Sequence, residues 1–143
     1  MHRIRRQALV PYGCQQMYEL ISDVQSYPRF LPWCSGAELV PIGDNEVRAR
    51  LEMSRGPVRS AFTTRNRLEP PRRIEMELED GPFRCLRGTW ALVPVEGGGC
   101  DIRLHLDFEF ANRLLEKALG KVFDQVLNSL VDAFVREAAR RYG

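Results

Sequence analysis

The chain has 143 residues, of which 44% are hydrophobic and 28% are charged, and its net charge is +2 at pH 7. This composition is typical of a globular protein and excludes a largely disordered, fibrous or repeat protein. No apolar run approaches the roughly 18 residues of a membrane-spanning helix, and no secretory signal follows the basic start. We therefore expect a single domain over residues 1–143, located in the cytoplasm, with any membrane contact being peripheral.

The first part of the chain predicts a strand followed by a short helix. Residues 2–10 can form the strand, with apolar side chains on one face. From Gly13 onward, apolar residues recur at helical spacing up to Val24. The helix should end before Tyr27, because a residue that precedes proline avoids the helical conformation.

The next segment, SYPRFLPWCSG at residues 26–36, places large apolar side chains around Pro28 and Pro32. The two prolines predict an irregular or single-turn segment. Its candidate functional residues are Phe30, Leu31 and Trp33. They either form a gate that faces a ligand pocket or a membrane surface, or they plug the end of the sheet as a minor core.

From residue 46 to residue 110, apolar and polar residues alternate with a period of two, which predicts strands with one buried face. The predicted strands are residues 47–53, 60–68, 74–78, 86–92 and 102–110. Turn-forming sequences such as S-R-G-P, E-P-P-R and E-G-G-G separate them at hairpin spacing. The economical topology is an antiparallel meander.

A long helix is predicted after the last strand. Asn112 can cap its N-terminus, and one apolar stripe runs from Leu115 to Ala138. At roughly 30 residues this helix would be about 45 Å long. The whole pattern predicts an α+β fold in which a curled antiparallel sheet wraps around the C-terminal helix, with an apolar cavity between the two layers.

Two segments have a more specific composition than this patterning requires: YPRFLPWCSG at residues 27–36 and DGPFRCLRGTW at residues 80–90. Through them, and over nearly the whole chain from Arg3 to Arg140, the sequence resembles the ubiquinone-binding, START-like family. That family includes coenzyme Q-binding proteins and bacterial ribosome-association toxins. The resemblance implies a helix-grip fold and a hydrophobic tunnel for ubiquinone or a similar lipid.

The alternation in the strands points several aromatic and methionine side chains toward the predicted helix. These side chains and residues of the helix would together line the tunnel. Together with the three gate residues, the set is Phe30, Leu31, Trp33, Met53, Phe62, Met76, Trp90, Phe123 and Leu127. Core packing is the competing explanation for each of them. Gly88 and Gly120 lie on facing elements, where they would either leave room for a ligand or permit close packing.

Arginines are concentrated in one part of the sheet. Residues 45–73 hold eight arginines and three glutamates, whereas residues 74–109 hold three arginines and eight acids. Outward-facing arginines that can contact rRNA phosphates are Arg48, Arg50, Arg65 and Arg67. Arg65 and Arg67 should also pair with glutamates of the following strand, which leaves Arg48 and Arg50 as the better sites for an external anion.

Neither metal nor acid-base chemistry is indicated. The four cysteines lack a C-x-x-C spacing, and there are only two histidines. These residues are Cys14, Cys34, Cys85, Cys100, His2 and His105. We therefore predict reduced thiols, no metal site and no paired carboxylates or triad at the cavity.

Our leading hypothesis from the sequence is a non-catalytic protein that binds ubiquinone, requires no other cofactor and supports respiratory electron transfer. The second hypothesis is a toxin that binds the large ribosomal subunit and blocks subunit joining. An enzyme similar to polyketide cyclases or dehydratases, which share the fold, comes third, because a fold alone does not carry an activity. DNA is not an expected partner.

Overall fold

A computed structural model describes residues 1–143 and contains one seven-stranded antiparallel sheet. Its strands are β1 (His2–Val10), β2 (Cys34–Gly43), β3 (Glu46–Arg55), β4 (Val58–Glu69), β5 (Arg73–Asp80), β6 (Phe83–Pro94) and β7 (Cys100–Phe110). The helices are α1 (Cys14–Ser22), α2 (Tyr27–Phe30), α3 (Arg113–Asn128) and α4 (Leu130–Tyr142), with a 3₁₀ turn at Val24–Ser26. The predicted α+β, helix-grip architecture is confirmed.

The sheet runs in the spatial order β1-β7-β6-β5-β4-β3-β2, so that β1 and β2 form its two edges. Strands β2 to β7 follow one another as a meander, and β1 returns to pair with β7 along its full length. Helices α3 and α4 pack on one face of the sheet against β1 and β7. The core lies between these layers, and Phe108, Phe123 and Phe134 are fully buried there.

Strand β2 was not predicted from the sequence. It contains Gly36 and Pro41, both of which weaken a strand pattern, and its pairing with β3 shifts register twice. Proline is tolerated here because β2 is an edge strand, where a missing N–H group breaks no central ladder. The local signals that concealed this strand therefore reflect its position at the edge of the sheet.

The final helix is divided at Ser129, whereas the sequence predicted one continuous helix. Ser129 Oγ donates a hydrogen bond to the carbonyl oxygen of Val126 at 2.8 Å, and Asn128 Nδ2 donates to that of Asp124 at 2.9 Å. Such side-chain bonds compete with the helical ladder and favour a bend. At the other end, Asn112 caps α3 as predicted, because its Oδ1 accepts from the backbone N–H of Leu115 at 2.9 Å.

The proline-containing segment forms one helical turn, α2, followed by the start of β2. Pro28 lies in the first turn of α2, where a helix needs no N–H donor. The Tyr27 hydroxyl donates a hydrogen bond to the carbonyl oxygen of Ile21 at the end of α1. Leu31 and Trp33 are buried, and the segment is thus a folded part of the core.

Candidate functional site

An apolar cavity of about 70 Å³ lies between the sheet and the two C-terminal helices. Strands β3 to β7 form its floor, Trp33 and Tyr27 close one side, and Leu127 and Leu130 cover it from either side of the break at Ser129. A second cavity of about 50 Å³ adjoins it. The two share the residues Val24, Tyr27, Asn66, Met76 and Trp90.

Five of the nine residues predicted to contact a ligand line the first cavity. They are Trp33, Phe62, Met76, Trp90 and Leu127. The other four, Phe30, Leu31, Met53 and Phe123, pack in the surrounding core instead. Phe123, for example, lies between Phe62 and Phe83, with ring centroids 5.8 and 5.1 Å away. The structure therefore brings together three of the four strand residues of the predicted set, and two of its five helix and loop residues.

Phe30 attaches the proline-containing segment to helix α4. Its ring centroid lies 5.5 Å from that of Phe134, and the guanidinium carbon of Arg141 lies 5.8 Å from the ring centroid. Phe134 also contacts Tyr27 and Trp90 edge-on, with ring centroids 5.3 Å away in each case. Within the segment, Trp33 faces the cavity, whereas Phe30 holds the segment against α4.

Glycines do not create the cavity. A Cβ atom at Gly88 would lie 2.2 Å from Cδ2 of Leu106 and 3.1 Å from Cε of Met76, so these two side chains already occupy the space. At Gly120 the nearest neighbours are atoms of the Glu116 side chain at 3.4 Å, and this residue is on the same helix. Of the two explanations that the sequence left open, close packing holds at Gly88.

Two polar side chains on β4 line the cavity and were missed as site residues. Thr64 is 5% exposed and Asn66 is 6% exposed. The Thr64 hydroxyl donates a hydrogen bond to Asn66 Oδ1 at 2.7 Å. The alternation of β4 places Asn66 on the same face as Phe62 and Leu68, and this inward polar position was the available signal.

The outward-facing arginines are held in ion pairs. Arg48 contacts Glu79 through two hydrogen bonds of 2.6 and 3.1 Å, and these lower the pKa of Glu79. Arg50 bonds Glu52 at 2.5 Å. The reason for preferring Arg48 and Arg50, a lack of nearby acids, does not hold, because each has an acidic partner. Contact of either residue with rRNA stays a prediction.

Arg65 and Arg67 lie opposite glutamates of β5, as predicted. Their backbone partners are Glu77 and Glu75, and Arg65 also bonds Glu46 on β3 at 2.9 Å. Arg67 is the more loosely held, since it is 66% exposed at its side chain and no nearer than 3.8 Å to a carboxylate. These residues border an outer groove of about 580 Å³. Its charged lining is Glu46, Glu75, Glu77, Arg65, Arg67, Arg73 and Arg87.

The remaining chemistry-bearing residues lie away from the cavity lining. His2 bonds Glu116 at 2.7 Å, and His105 is exposed on the outer face of β7. All four cysteines are free, and burial together with a hydrogen bond donated to Cys14 raises the pKa of Cys100 to about 12. None of the helices has the length and apolarity needed to cross a membrane.

The seven-stranded antiparallel sheet, packed against the C-terminal helices around an apolar cavity, is a helix-grip fold. The chain belongs to the family described as polyketide cyclase / dehydrase and lipid transport, whose family model matches residues 10–135. This finding and the relatives below confirm the resemblance inferred from the sequence.

Among curated proteins, the ribosome association toxin RatA of Escherichia coli is 44% identical over 99% of this chain and 90% of its own length. RatA of Pseudomonas aeruginosa is 41% identical over 98% of this chain and 97% of its own length. The mitochondrial coenzyme Q-binding protein COQ10 of Drosophila melanogaster is 29% identical, and the match covers 96% of this chain and 59% of that protein.

Solved structures confirm the fold. The Zhui aromatase/cyclase of Streptomyces sp. R1128 superposes with a TM-score of 0.79 at 18% identity, over 99% of this chain and 96% of that one. A START superfamily protein of Mycobacterium smegmatis superposes with a TM-score of 0.76, also at 18% identity, over 98% of this chain and 99% of that one. At these identities the likeness concerns architecture alone.

Proposed function

We propose that this protein binds ubiquinone or a similar apolar quinone, without catalysis, in the cavity between the sheet and helices α3 and α4. The observation that carries the proposal is the cavity lining, in which Trp33, Phe62 and Trp90 border an apolar space. A relative named for binding coenzyme Q covers 96% of the chain and supports the same ligand class. Family membership, which includes lipid transport, is consistent with it.

The titratable side chain in the lining also favours binding over catalysis. Tyr27 is the lining residue with an ionisable group, and its hydroxyl is already donated to the carbonyl oxygen of Ile21. Burial raises the pKa of Tyr27, so it stays protonated at neutral pH. A general acid or base needs a pKa near the working pH, which Tyr27 does not have.

The cavity must expand to take up such a ligand. Its volume of about 70 Å³ is well below the roughly 300 Å³ at which sites for small molecules begin. Leu127 and Leu130 cover the cavity on the two sides of Ser129, the residue that separates α3 from α4. We infer that α3 bends away from α4 at this break to admit the ligand.

Burial of apolar surface would supply the binding free energy. Each methylene group removed from water contributes about 0.8 kcal/mol, which corresponds to about fourfold in affinity. Affinity should therefore rise with the length of the isoprenoid tail until the expanded cavity is full. A flexible side chain such as that of Met76, which lines both cavities, can adapt to tails of different shape.

Two measurements test the proposal. Organic extraction of the purified protein followed by mass spectrometry should recover a quinone, and titration with short-tailed ubiquinones should show saturable binding. Trp33→Ala and Phe62→Ala should weaken this binding, whereas Leu9→Ala, at an exposed position on β1, should not. Absence of both a co-purified quinone and any binding of the added quinones would refute the proposal.

Association with the large ribosomal subunit is the second candidate function. Relatives named ribosome association toxin RatA, at 26% to 44% identity, favour binding to the ribosome. The outer groove offers a surface for rRNA, since Arg67 is loosely held and Arg87 forms no ion pair. Addition of the protein to cell extract should then raise free subunits at the expense of whole ribosomes in sedimentation profiles. Arg67→Glu with Arg87→Glu should abolish the effect, whereas Arg136→Glu on the exposed face of α4 should not. Unchanged profiles with the unaltered protein would exclude this function.

We further propose that the start of helix α3 contacts a membrane surface peripherally, so that a quinone can be collected there. Leu114 is 77% exposed, and Arg113, Lys117 and Lys121 follow one another at helical spacing without ion pairs. Exposed apolar and basic residues together favour binding to anionic lipids. Co-sedimentation with anionic vesicles should be lost in Lys117→Glu with Lys121→Glu and kept in Arg136→Glu. Equal binding to uncharged vesicles would contradict an electrostatic contact.

A further inference from the structure

Asn66 is a buried amide in a mostly apolar cavity lining, in which Thr64 is its one polar neighbour. Across the sheet, its partners are Val47 on β3 and Met76 on β5, neither of which has a side-chain group that can form a strong hydrogen bond. The neighbouring inward positions of β4 are Thr64 and Leu68. A buried polar side chain is unfavourable unless its hydrogen-bonding groups are satisfied.

The hydrogen bond from Thr64 satisfies only one part of this amide. Thr64 Oγ1 donates to Asn66 Oδ1 at 2.7 Å, and the side-chain hydrogen bonds of the protein leave the amide nitrogen Nδ2 without a partner. An asparagine amide nitrogen carries two donor hydrogens and accepts nothing. With the Thr64 hydroxyl donating to Oδ1, the unused capacity of the amide is the Nδ2 donor, which can bond an acceptor that enters the cavity.

Asn66 also lies where the two cavities meet, since it is a lining residue of both. On one side lie the aromatic residues Trp33 and Phe62, and on the other lie Leu39 and Leu68. A ligand that filled the joined cavities would pass directly over the amide. An apolar tail gains nothing from this position, whereas an oxygen acceptor gains a hydrogen bond in a region from which water is largely excluded.

We infer that Asn66 is the specificity-determining residue of the cavity and donates a hydrogen bond to a carbonyl oxygen on the ring of the bound ligand. Thr64 is a positioning residue that orients the amide. This inference rests on the proposed function and narrows it. A hydrogen bond from Asn66 would select apolar molecules with a carbonyl-bearing ring, such as quinones, over hydrocarbons and simple alkyl chains of the same size.

A pair of matched ligands tests the inference. One is a benzoquinone with a ten-carbon tail, and the other is benzene with the same tail, which lacks the carbonyl groups. Asn66→Leu, which removes the amide and keeps the branched shape, should lower affinity for the quinone by about 3- to 10-fold, the range of one neutral hydrogen bond. Its affinity for the benzene analogue should be unchanged or higher. Thr64→Val should lower quinone affinity by a smaller factor in the same direction.

The outcomes separate the inference from the function on which it rests. If the unaltered protein binds neither ligand, the proposed function fails. If it binds both, and Asn66→Leu weakens both by the same factor, Asn66 only shapes the cavity and the inference is overturned. A second measurement needs no variant, because hydrogen bonding lowers the carbonyl stretching frequency of the bound quinone in the infrared spectrum. A frequency equal to that in an alkane solvent would also overturn the inference.

Discussion

Gly88→Ala is the sharpest test of the packing between the sheet and the cavity. The added methyl group would lie 2.2 Å from Cδ2 of Leu106 and 3.0 Å from the backbone oxygen of His105. The Leu106 side chain can rotate away, but the His105 carbonyl belongs to a paired strand and cannot. Overpacking of this kind typically costs about 1 to 3 kcal/mol. For a chain of this size that corresponds to a drop in Tm of roughly 3 to 12 °C.

The substitution should also affect binding, because Leu106 and Met76, the two side chains that must move, both line the cavity. Thermal and urea unfolding give the stability change, and quinone titration of the folded variant gives the binding change. Gly43→Ala is the matched control, since its added methyl group would come no closer than 3.4 Å to a neighbouring atom. If Gly88→Ala is as stable as Gly43→Ala and binds quinone unchanged, the space at Gly88 is not filled and the packing argument is wrong.

Further predictions concern the aromatic packing of Phe134, the ion pairs of Glu137 on α4 and the N-terminal cap of α3. Phe134→Ala removes a fully buried ring that contacts Tyr27, Phe30 and Trp90. It should lower the free energy of unfolding, measured by urea titration, by about 3 to 5 kcal/mol. A loss under about 1 kcal/mol would contradict this prediction. Hydrogen bonds from Arg140 and Arg141 lower the pKa of Glu137 from 4.5 to about 2. These bonds therefore stabilise the protein above about pH 4.5, and their contribution is lost as the pH falls towards 2. Glu137→Gln should lower the free energy of unfolding by about 1 to 2 kcal/mol at pH 7, after discounting for the exposed Arg140, and by less at pH 3. If the variant and the unaltered protein differ by the same free energy at both pH values, the carboxylate is not the cause. Asn112→Ala should lower the free energy of unfolding, measured by urea titration, by about 1 kcal/mol, because the α3 cap is lost. Asn112→Ser, which keeps a capping oxygen, is the control and should leave it nearly unchanged.

The meander could be predicted from the sequence because its strands have one buried face, which produces a clear alternation from residue 46 onward. Strand β2 lacks that alternation, since Pro41 and two register shifts interrupt it. The division of the final helix was also missed. The apolar stripe continues past Ser129, and the division there is marked only by side-chain hydrogen bonds of Ser129 and Asn128 to the preceding turn.

The cavity residues on strands were easier to predict than those on loops and helices. A strand has two faces, so the alternation correctly placed Phe62, Met76 and Trp90 toward the helices. It does not report which inward residue borders a void and which is packed, as for Met53. Asn66 was missed because one polar residue at an inward position is uninformative until its neighbours are known.

The ion pairs, too, could be predicted from the sequence only in part. Hairpin pairing predicts contacts between adjacent strands, and it correctly placed Arg65 and Arg67 opposite acids of β5. The partner of Arg48 on β3 is Glu79 on β5, so the pair spans the intervening strand β4. Such a contact depends on side-chain length and on the twist of the sheet, neither of which is evident from the alternation.

The two free edges of the sheet have a consequence for association between copies of the chain. An exposed edge strand offers unpaired N–H and C=O groups to which a further strand can add. On β2, Pro41 has no N–H group to offer, and the register shifts interrupt the regular spacing of the others. On β1, Arg3, Arg5 and Arg6 bring positive charge that a second copy of the same strand would repel. Both edges are therefore poor templates for strand addition, and the open sheet is protected from growing into a filament.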